Sequence, residues 1–242
     1  MSIFSIFNKK NDVPFPFHLL KVDMHSHLIP GIDDGAQTEK DSFQLIQGLL
    51  DLGYEKLITS PHVMQDLYKN TPEIINNGLN VVQQKFGVNT IQAAAEYYLD
   101  EYISELFTKR QPLLAISNNL LLVELGFVAA PLNLENLITE IQYQGYQPVI
   151  AHPERYAYFH QHPEEWQRLK EKGCLLQCNL LSFSGYYGVA ACKAAEQLAE
   201  RRFVDLLGTD LHHHRHLQHL RELNLTNALA KILELGVLNP QL

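Results

Sequence analysis

The sequence predicts an α/β protein, an irregular (β/α)7 barrel of the TIM type with a metal site at the C-terminal ends of its strands. Short apolar segments alternate with helical segments along most of the chain. The length of 242 residues is typical of such a barrel. Each segment that resembles a strand is followed by a histidine, a carboxylate or an asparagine, which indicates that these side chains converge at one end of the barrel.

Composition favours one globular domain. Hydrophobic residues make up 46% of the chain, enough for a full core. We expect residues 1–18 to form a tail and linker before a barrel at 19–242. The net charge of −8 argues against nucleic acid as a partner, because phosphate backbones need a basic face. No apolar run is long enough to span a bilayer. Three cysteines without C-x-x-C spacing indicate reduced thiols and a cytoplasmic protein.

The elements follow in order from the hydrophobic pattern. A short apolar run at 19–24 predicts the first strand. A helix is predicted next, over 38–52, since apolar residues recur at helical spacing, Thr38 can cap its start and Gly53 can end it. Further strands are predicted over 56–59, 90–95, 119–124, 147–151, 174–179 and 203–208, and further helices over 72–86, 100–108, 134–144, 163–172, 189–201 and 227–235. This alternation predicts parallel strands joined by right-handed crossovers.

Histidines and carboxylates stand where they can share a site. His25 and His27 follow the first strand, and because alternate residues of an extended segment share one face, both can reach one metal. Asp210 and His212 repeat this spacing after the last strand. Glu124 ends an apolar run, where a buried carboxylate needs a cation or a strong donor. Imidazoles and carboxylates bind zinc, manganese and iron. The strand-end set is His25, His27, His62, Glu96, Glu124, His152, Asn179, Asp210 and His212.

Two neighbouring groups allow simpler interpretations. Asp33 and Asp34 lie between glycines, where aspartate is common in ordinary turns. The histidines after His212, namely His213, His214 and His216, are expected to be solvated at the start of a helix, although one of them could line the site.

These residues occur in motifs that resemble those of the polymerase and histidinol phosphatase (PHP) superfamily. The most specific stretches are HSHLIPGIDDG, beginning at His25, and AHPERY, beginning at Ala151. Shorter matches are SPH ending at His62, AEYY around Glu96, and DLH beginning at Asp210. Within the superfamily, the chain looks most like the bacterial manganese-dependent protein-tyrosine phosphatases of capsule and exopolysaccharide loci. The resemblance extends from about residue 21 to about residue 221.

The resemblance implies three divalent metal ions, with manganese expected and iron or zinc possible. By position, the first ion would be held by His25, His27, Glu96 and Asp210. The second would be held by Glu96, Glu124 and His152, with Glu96 bridging, and the third by Asp34, His62 and His212.

The resemblance also implies the chemistry and the substrate. A hydroxide that bridges the metals would attack phosphorus, Arg155 would hold the phosphate, and His212 could give a proton to the leaving tyrosine. Arg215 is near the position of a second phosphate-binding arginine. Aromatic residues near the strand ends suit a phenol ring, and Tyr156 and Tyr186 are the expected rim contacts. The implied partner is a phosphotyrosine protein, the tail of a membrane tyrosine kinase that controls polysaccharide export.

Two alternatives stay open at this point. A small-molecule phosphatase such as histidinol phosphatase would use the same metal ligands, and a non-catalytic metal-binding protein would keep them without turnover. A nuclease is disfavoured by the acidic charge. The sequence contains no Cys-x5-Arg loop, so we expect Cys174, Cys178 and Cys192 to be replaceable without loss of activity.

Overall fold

The computed structural model describes residues 13–117 and 119–242, and these residues form an α/β fold with parallel strands. Its strands are β1 (Val22–Asp23), β2 (Lys56–Thr59), β3 (His62–Val63), β4 (Ile91–Ala93), β5 (Glu96–Tyr98), β6 (Leu120–Glu124), β7 (Gln147–Ala151), β8 (Leu175–Asn179) and β9 (Leu206–Gly208). Its helices are α1 (Glu39–Leu52), α2 (Pro72–Phe86), α3 (Glu101–Thr108), α4 (Leu134–Tyr143), α5 (Glu164–Glu171), α6 (Val189–Glu200), α7 (His214–Arg221) and α8 (Asn227–Leu235). The predicted α/β class is confirmed.

The strands follow chain order in two parallel sheets, β1-β2-β4 and β3-β5-β6-β7-β8-β9. The second and third predicted strands occur as β2 and β4, and each is followed by a short strand that the sequence did not predict. Ser60 and Pro61 separate β3 from β2, and Ala94 and Ala95 separate β5 from β4. Proline has no N–H to donate to a ladder and so marks a natural break. After the break, His62 pairs with Glu96 and Tyr98 pairs with Glu124.

The chain after β9 lies beside the chain after β1. Ser26 and Leu211 form a parallel bridge. The N–H of His27 donates to the Leu211 carbonyl at 2.9 Å, and the N–H of Asp210 donates to the His25 carbonyl at 2.8 Å. These bonds place the alternating pairs predicted from the sequence, one after the first strand and one after the last, next to each other.

Apolar side chains from five strands pack on the N-terminal side of the polar strand ends. They form a cluster separate from the main core, which lies between strands and helices. A dry layer therefore lies beneath the polar groups, and it restricts water at their base. Its members from the strands and their flanks include Met24, Ile58, Leu122, Val149 and Leu206.

Local signals explain several helix boundaries. Thr38 caps α1 by accepting a hydrogen bond from the N–H of Asp41, and Gly53 ends the helix with φ of 108°. The sequence predicts a helix that starts near the histidines after His212 but sets no bounds for it; the N-cap of α7 is His213, whose ring accepts from the N–H of His216. Histidine is not among the usual N-cap residues.

Of the predicted tail and linker, residues 1–12 lie outside the described residues. The rest of that segment packs against the fold. Phe15 donates its N–H to the Leu223 carbonyl at 2.9 Å, and Phe15 and Phe17 are buried with their rings edge to face. None of the helices in the described ranges is long and apolar enough to cross a bilayer.

Candidate metal centre

The structure brings the nine residues of the three implied ligand sets into one region. Ligand atoms of these residues form four overlapping groups in which every atom lies within 4.8 Å of the others. All nine are largely or fully buried except Asp34, whose side chain is 52% exposed. The groups are His27, Asp34, His62 and His212; His25, His27 and Asp210; His25, Glu96 and His152; and His62, Glu96 and Glu124.

In the first implied set, two imidazole nitrogens and two carboxylate oxygens lie close together. His25 Nε2 lies 3.4 Å from His27 Nε2, 3.3 Å from Glu96 Oε2 and 3.4 Å from Asp210 Oδ1. His27 Nε2 lies 3.5 Å from each of the two carboxylate oxygens. Ligands about 2.0–2.2 Å from a tetrahedral ion stand roughly 3.3–3.6 Å apart. The spacing of the two imidazole nitrogens and the Asp210 oxygen therefore fits ligation of one cation, and the Glu96 oxygen lies at a similar distance from both nitrogens.

The outer nitrogens of three imidazoles have polar partners. His27 Nδ1 lies 2.8 Å from Asp33 Oδ2, and His212 Nδ1 lies 2.9 Å from the Asp210 carbonyl oxygen. Both partners are acceptors, so each ring carries its proton on Nδ1 and turns the lone pair of Nε2 inward. His25 Nδ1 likewise lies 2.7 Å from Gln177 Oε1. Inward lone pairs facing carboxylate oxygens repel one another unless a cation or a proton lies between them.

Glu96 links two of the implied sets. Its Oε2 faces the two histidines that follow β1, whereas its Oε1 lies 3.3 Å from His152 Nε2. Glu124 Oε1 lies 3.7 Å from the same His152 nitrogen. Neither Glu96 oxygen has a hydrogen-bond partner among the described residues, although the side chain is fully buried. Such a group needs compensation, and metal cations held by Glu96 and its neighbouring ligands would supply it.

The third set is more open. Asp34 Oδ1 lies 3.4 Å from His62 Nε2 and 3.5 Å from His212 Nε2. His62 Nδ1 faces the opposite way, 3.1 Å from Glu96 Oε2. His62 therefore stands between the third set and the bridging glutamate.

Charge coupling in the cluster is strong. Burial alone would raise the pKa of Glu96, but His25 and His62 outweigh it and hold that pKa well below its usual range. Burial, reinforced by the charge of Glu96, raises the pKa of Glu124 to about 8. Burial and the nearby Arg155 lower the pKa of His152 to about 4. Without metal, the two glutamates thus behave as a pair with one retained proton.

In the absence of metal, two histidines of the cluster bind protons more tightly than a free imidazole does. Burial lowers the pKa of His25, but the carboxylates of Glu96 and Asp210 outweigh it and raise the pKa to about 9. The pKa of His62 rises to about 10 for the same reason, with Glu96 the largest opposing influence against burial. The donor set and its unpartnered oxygens fit divalent metals, because bound cations would replace these protons.

Unusual backbone geometry aims two of the ligands. His152 has φ of 35° and Asp210 has φ of 50°, both in the left-handed region that residues other than glycine seldom adopt. Both side chains turn into the cluster at the point where their strands end. Such strain persists where surrounding structure enforces it and is concentrated at functional sites.

A cavity of about 270 Å³ opens beside the ligands. Arg155 lies at its wall with its guanidinium between two aromatic rings, 4.8 Å from the centre of Phe127 and 4.4 Å from that of Tyr187. Its Nη1 donates to Asp210 Oδ2 at 2.9 Å. The lining residues are Asp34, His62, Glu124, Phe127, His152, Arg155, Tyr187, Asp210, His212, His213 and His216.

Three residues predicted to contact substrate lie elsewhere. Tyr156 is fully buried next to Phe127, and its hydroxyl accepts from the N–H of Leu125, so it packs within the core near the end of β6. Tyr186 packs edge to face on His216 outside the cavity wall. The guanidinium of Arg215 lies 5.9 Å from the centre of the Tyr186 ring.

Sequence reasoning missed residues that support the ligands. Asp33 was open to interpretation as an ordinary turn residue, yet its Oδ2 also accepts from the N–H of His62 at 3.1 Å. Gln177 received no role, although its alternation with Asn179 on one strand places both on the ligand side. The two-residue repeat of the strand could therefore have predicted that Gln177 faces the ligands.

Comparison with known proteins gives consistent relatives. The profile of the family described as "Capsular polysaccharide synthesis, CpsB/CapC" matches residues 21–232. The tyrosine-protein phosphatase YwqE of Bacillus subtilis is 28% identical over 195 residues, which cover 79% of this chain and 77% of YwqE. The tyrosine-protein phosphatase CpsB of Streptococcus pneumoniae is 26% identical over 202 residues, which cover 79% of this chain and 82% of CpsB.

A solved structure agrees with the fold. It comes from a study of YwqE of Bacillus subtilis and CpsB of Streptococcus pneumoniae, described as unique metal-dependent tyrosine phosphatases. The superposition has a TM-score of 0.74 at 27% identity and covers 89% of this chain and 87% of the other.

Proposed function

Because the chain belongs to the CpsB/CapC family of capsular polysaccharide synthesis, we propose that it is a metal-dependent protein-tyrosine phosphatase. The observation that carries this proposal is that the imidazole nitrogens of His25 and His27 lie 3.4 Å apart and each lies 3.3–3.5 Å from a carboxylate oxygen of Glu96 and of Asp210. That convergence lies beside a cavity whose wall holds Arg155.

Three divalent ions would be held by the ligand sets that the sequence implied. His25, His27, Glu96 and Asp210 would hold the first, and Glu96, Glu124 and His152 the second. Asp34, His62 and His212 would hold the third. Manganese is the expected metal, while iron and zinc also suit these donors. When bound, such ions neutralise phosphate oxygens and lower the pKa of coordinated water.

Arg155 would bind and orient the phosphate. One edge of its guanidinium donates to Asp210, and its two faces lie on aromatic rings, so few orientations remain. The N–H groups that do not face Asp210 can donate to two phosphate oxygens at once. Phosphoryl transfer has a loose transition state, and therefore positioning and charge stabilisation contribute most to the rate.

The leaving group needs little help from an acid. A tyrosine phenol has a pKa of about 10, so the phenolate departs more readily than an alkoxide. The geometry does not support His212 as the proton donor expected from the sequence, because its Nδ1 is bonded to a backbone carbonyl and its Nε2 faces Asp34.

The cysteines offer no alternative nucleophile. All three are free thiols. Burial raises the pKa of Cys174 to about 12 and that of Cys178 well above its usual range. Burial also raises the pKa of the partly exposed Cys192. A thiol that stays protonated is a poor nucleophile, so the phosphatase reaction would depend on the metal centre.

The border of the cavity favours a protein substrate over a small metabolite. Phe127 lines the cavity and is 46% exposed, and Val128 and Leu132, in the same loop after β6, are fully exposed. Contiguous exposed apolar side chains mark surfaces that contact other proteins. The proposed substrate is a phosphotyrosine segment, such as the tail of a membrane tyrosine kinase that acts in polysaccharide synthesis.

The proposal is tested by adding single metals back to metal-free protein. Manganese, iron or zinc is added, and phosphate release is measured from phosphotyrosine peptides, phosphoserine peptides and histidinol phosphate. We expect metal-dependent turnover that favours phosphotyrosine and is lost in His152→Ala. The matched control is His162→Ala, which replaces an exposed histidine paired with Glu164. A preference for histidinol phosphate would contradict the proposal that the substrate is a phosphotyrosine protein. If none of these compounds is hydrolysed, the proposal that the protein is a phosphatase would be contradicted.

A further inference from the structure

We propose that Gln177 and Asn179 of β8 form a hydrogen-bond relay that sets the tautomer of His25, so that Nε2 presents its lone pair to the first metal. The proposal rests on the proposed metal centre and adds two positioning residues to it. Neither residue belongs to the three implied ligand sets.

The relay is continuous and dry. His25 Nδ1 lies 2.7 Å from Gln177 Oε1, Gln177 Nε2 donates to Asn179 Oδ1 at 2.9 Å, and Asn179 Nδ2 donates to Asp210 Oδ2 at 2.7 Å. His25, Gln177 and Asn179 are fully buried, and Asp210 is 2% exposed. Water is therefore not available to replace any of these bonds.

The direction of each hydrogen bond in the relay is fixed by the Asp210 carboxylate at one end. The Asp210 carboxylate can only accept when ionised, and its Oδ2 already accepts from Arg155 Nη1. Asn179 must therefore turn its NH₂ to Asp210 and its carbonyl to Gln177. Gln177 must then turn its own NH₂ to Asn179, which leaves its carbonyl facing His25. A carbonyl can only accept, so the His25 proton is on Nδ1 and Nε2 is free for metal.

The backbone is shaped to admit this relay. Gly208 of β9 lies against it, where a Cβ would come 2.7 Å from Gln177 Nε2 and 2.8 Å from the Cβ of His25. Only glycine leaves that space at this strand position. The relay also joins two ligands of the first set, since Asp210 directs its Oδ1 to the histidines while Oδ2 receives the relay.

Two substitutions at Gln177 separate a relay from simple packing. Gln177→Met keeps the approximate volume but cannot accept the His25 proton. Gln177→Glu keeps an acceptor for that proton, but it buries an extra charge and turns an oxygen instead of a donor to Asn179 Oδ1. A packing role predicts that Met is tolerated and Glu is harmful, whereas the relay predicts that Glu retains the first metal better than Met.

Metal affinity is measured by titrating metal-free protein with Mn²⁺ and following the EPR signal of the free ion. In Gln177→Met and Asn179→Leu we expect one site to weaken about 10- to 100-fold, the usual effect of losing an outer partner of a metal ligand. In Gln177→Glu we expect a smaller loss. The control is Gln147→Met, which replaces the glutamine at the start of β7, bonded to the Gly173 carbonyl at the surface. Unchanged affinity in Gln177→Met would overturn the relay.

A second measurement does not depend on the stability of variants. In zinc-loaded wild-type protein labelled with ¹⁵N-histidine, NMR should show the His25 proton on Nδ1, protected from exchange. A proton on Nε2 would overturn the proposal. Neither readout requires turnover. If substitutions in the relay weaken Mn²⁺ binding but the wild-type protein releases no phosphate, only the proposed phosphatase activity would be refuted. If the wild-type protein is an active phosphatase but Gln177→Met binds Mn²⁺ with unchanged affinity, only the relay would be refuted.

Discussion

Arg155 shows how single residues define this site. Its guanidinium lies between Phe127 and Tyr187 and donates to Asp210. Cation–π contacts hold the plane of the group, and the carboxylate holds one edge. Lysine offers only a point charge without a planar fork.

We therefore predict that Arg155→Lys lowers kcat/KM for a phosphotyrosine peptide on the order of 100-fold, the usual loss for one positioned donor to the transition state. Manganese content should stay unchanged, because Arg155 is not a ligand. The measurement is steady-state kinetics with metal analysis on the same samples. The control is Arg168→Lys, at an exposed arginine paired with Glu135 and Glu165. Equal kcat/KM in wild type and Arg155→Lys would show that the planar guanidinium of Arg155 does not bind the phosphate.

Residue roles were only partly predictable from the sequence. Residue type and strand-end position placed His25, Glu96 and Asp210 in the cluster, because strand ends in a parallel sheet converge. Tyr156 illustrates the failure: its position after the fifth predicted strand suggested a rim contact, yet it is fully buried. Which way a side chain turns in a short loop depends on distant packing partners that sequence spacing does not reveal.

At the scale of elements, β8 and β9 support the cluster from one side. β8 contributes no ligand but carries Gln177 and Asn179, and β9 passes close enough to require Gly208. The seven strands predicted from apolar runs occur, and two short strands that were not predicted, β3 and β5, follow the second and the third of them. Each of these short strands begins at a ligand, His62 or Glu96, and the hydrophobic pattern carried no signal for β5 as a separate strand because Ala94 and Ala95 are compatible with a strand.

We predict that Gly208→Ala destabilises the metal-free protein by about 1–3 kcal/mol, the usual effect of overpacking a buried position. The added methyl group would displace Gln177 and His25, so Mn²⁺ affinity should fall as well. Urea unfolding measures the first effect and the EPR titration the second. A variant with wild-type stability and affinity would mean that β8 and β9 are not as close as described.

At the scale of the whole molecule, buried charge links stability to pH. In the metal-free protein the pKa of Glu124 rises from 4.5 to about 8, that of His25 from 6.5 to about 9 and that of His62 from 6.5 to about 10. Each group binds its proton more tightly in the folded state than in the unfolded chain. Their stabilising contribution is therefore complete below the unfolded pKa and is lost as the pH rises through the folded value.

The Tm of the metal-free protein should consequently fall as the pH rises from 6.5 to 9. Bound metal replaces these protons, so the Tm difference between metal-loaded and metal-free protein should widen over the same range. Differential scanning calorimetry on both forms measures this. A Tm of the metal-free form that stays constant or rises between pH 6.5 and 9 would contradict the described charge coupling.

Whether these strand ends form the catalytic metal centre is tested by an anomalous-difference map from crystals of the manganese-loaded protein, recorded at the manganese absorption edge with inorganic phosphate present. We predict manganese peaks within the three ligand sets, with Glu96 shared between two of them and phosphate contacting Arg155. Peaks outside these sets, or none in a preparation that hydrolyses phosphotyrosine, would contradict the proposal that these strand ends form the catalytic metal centre.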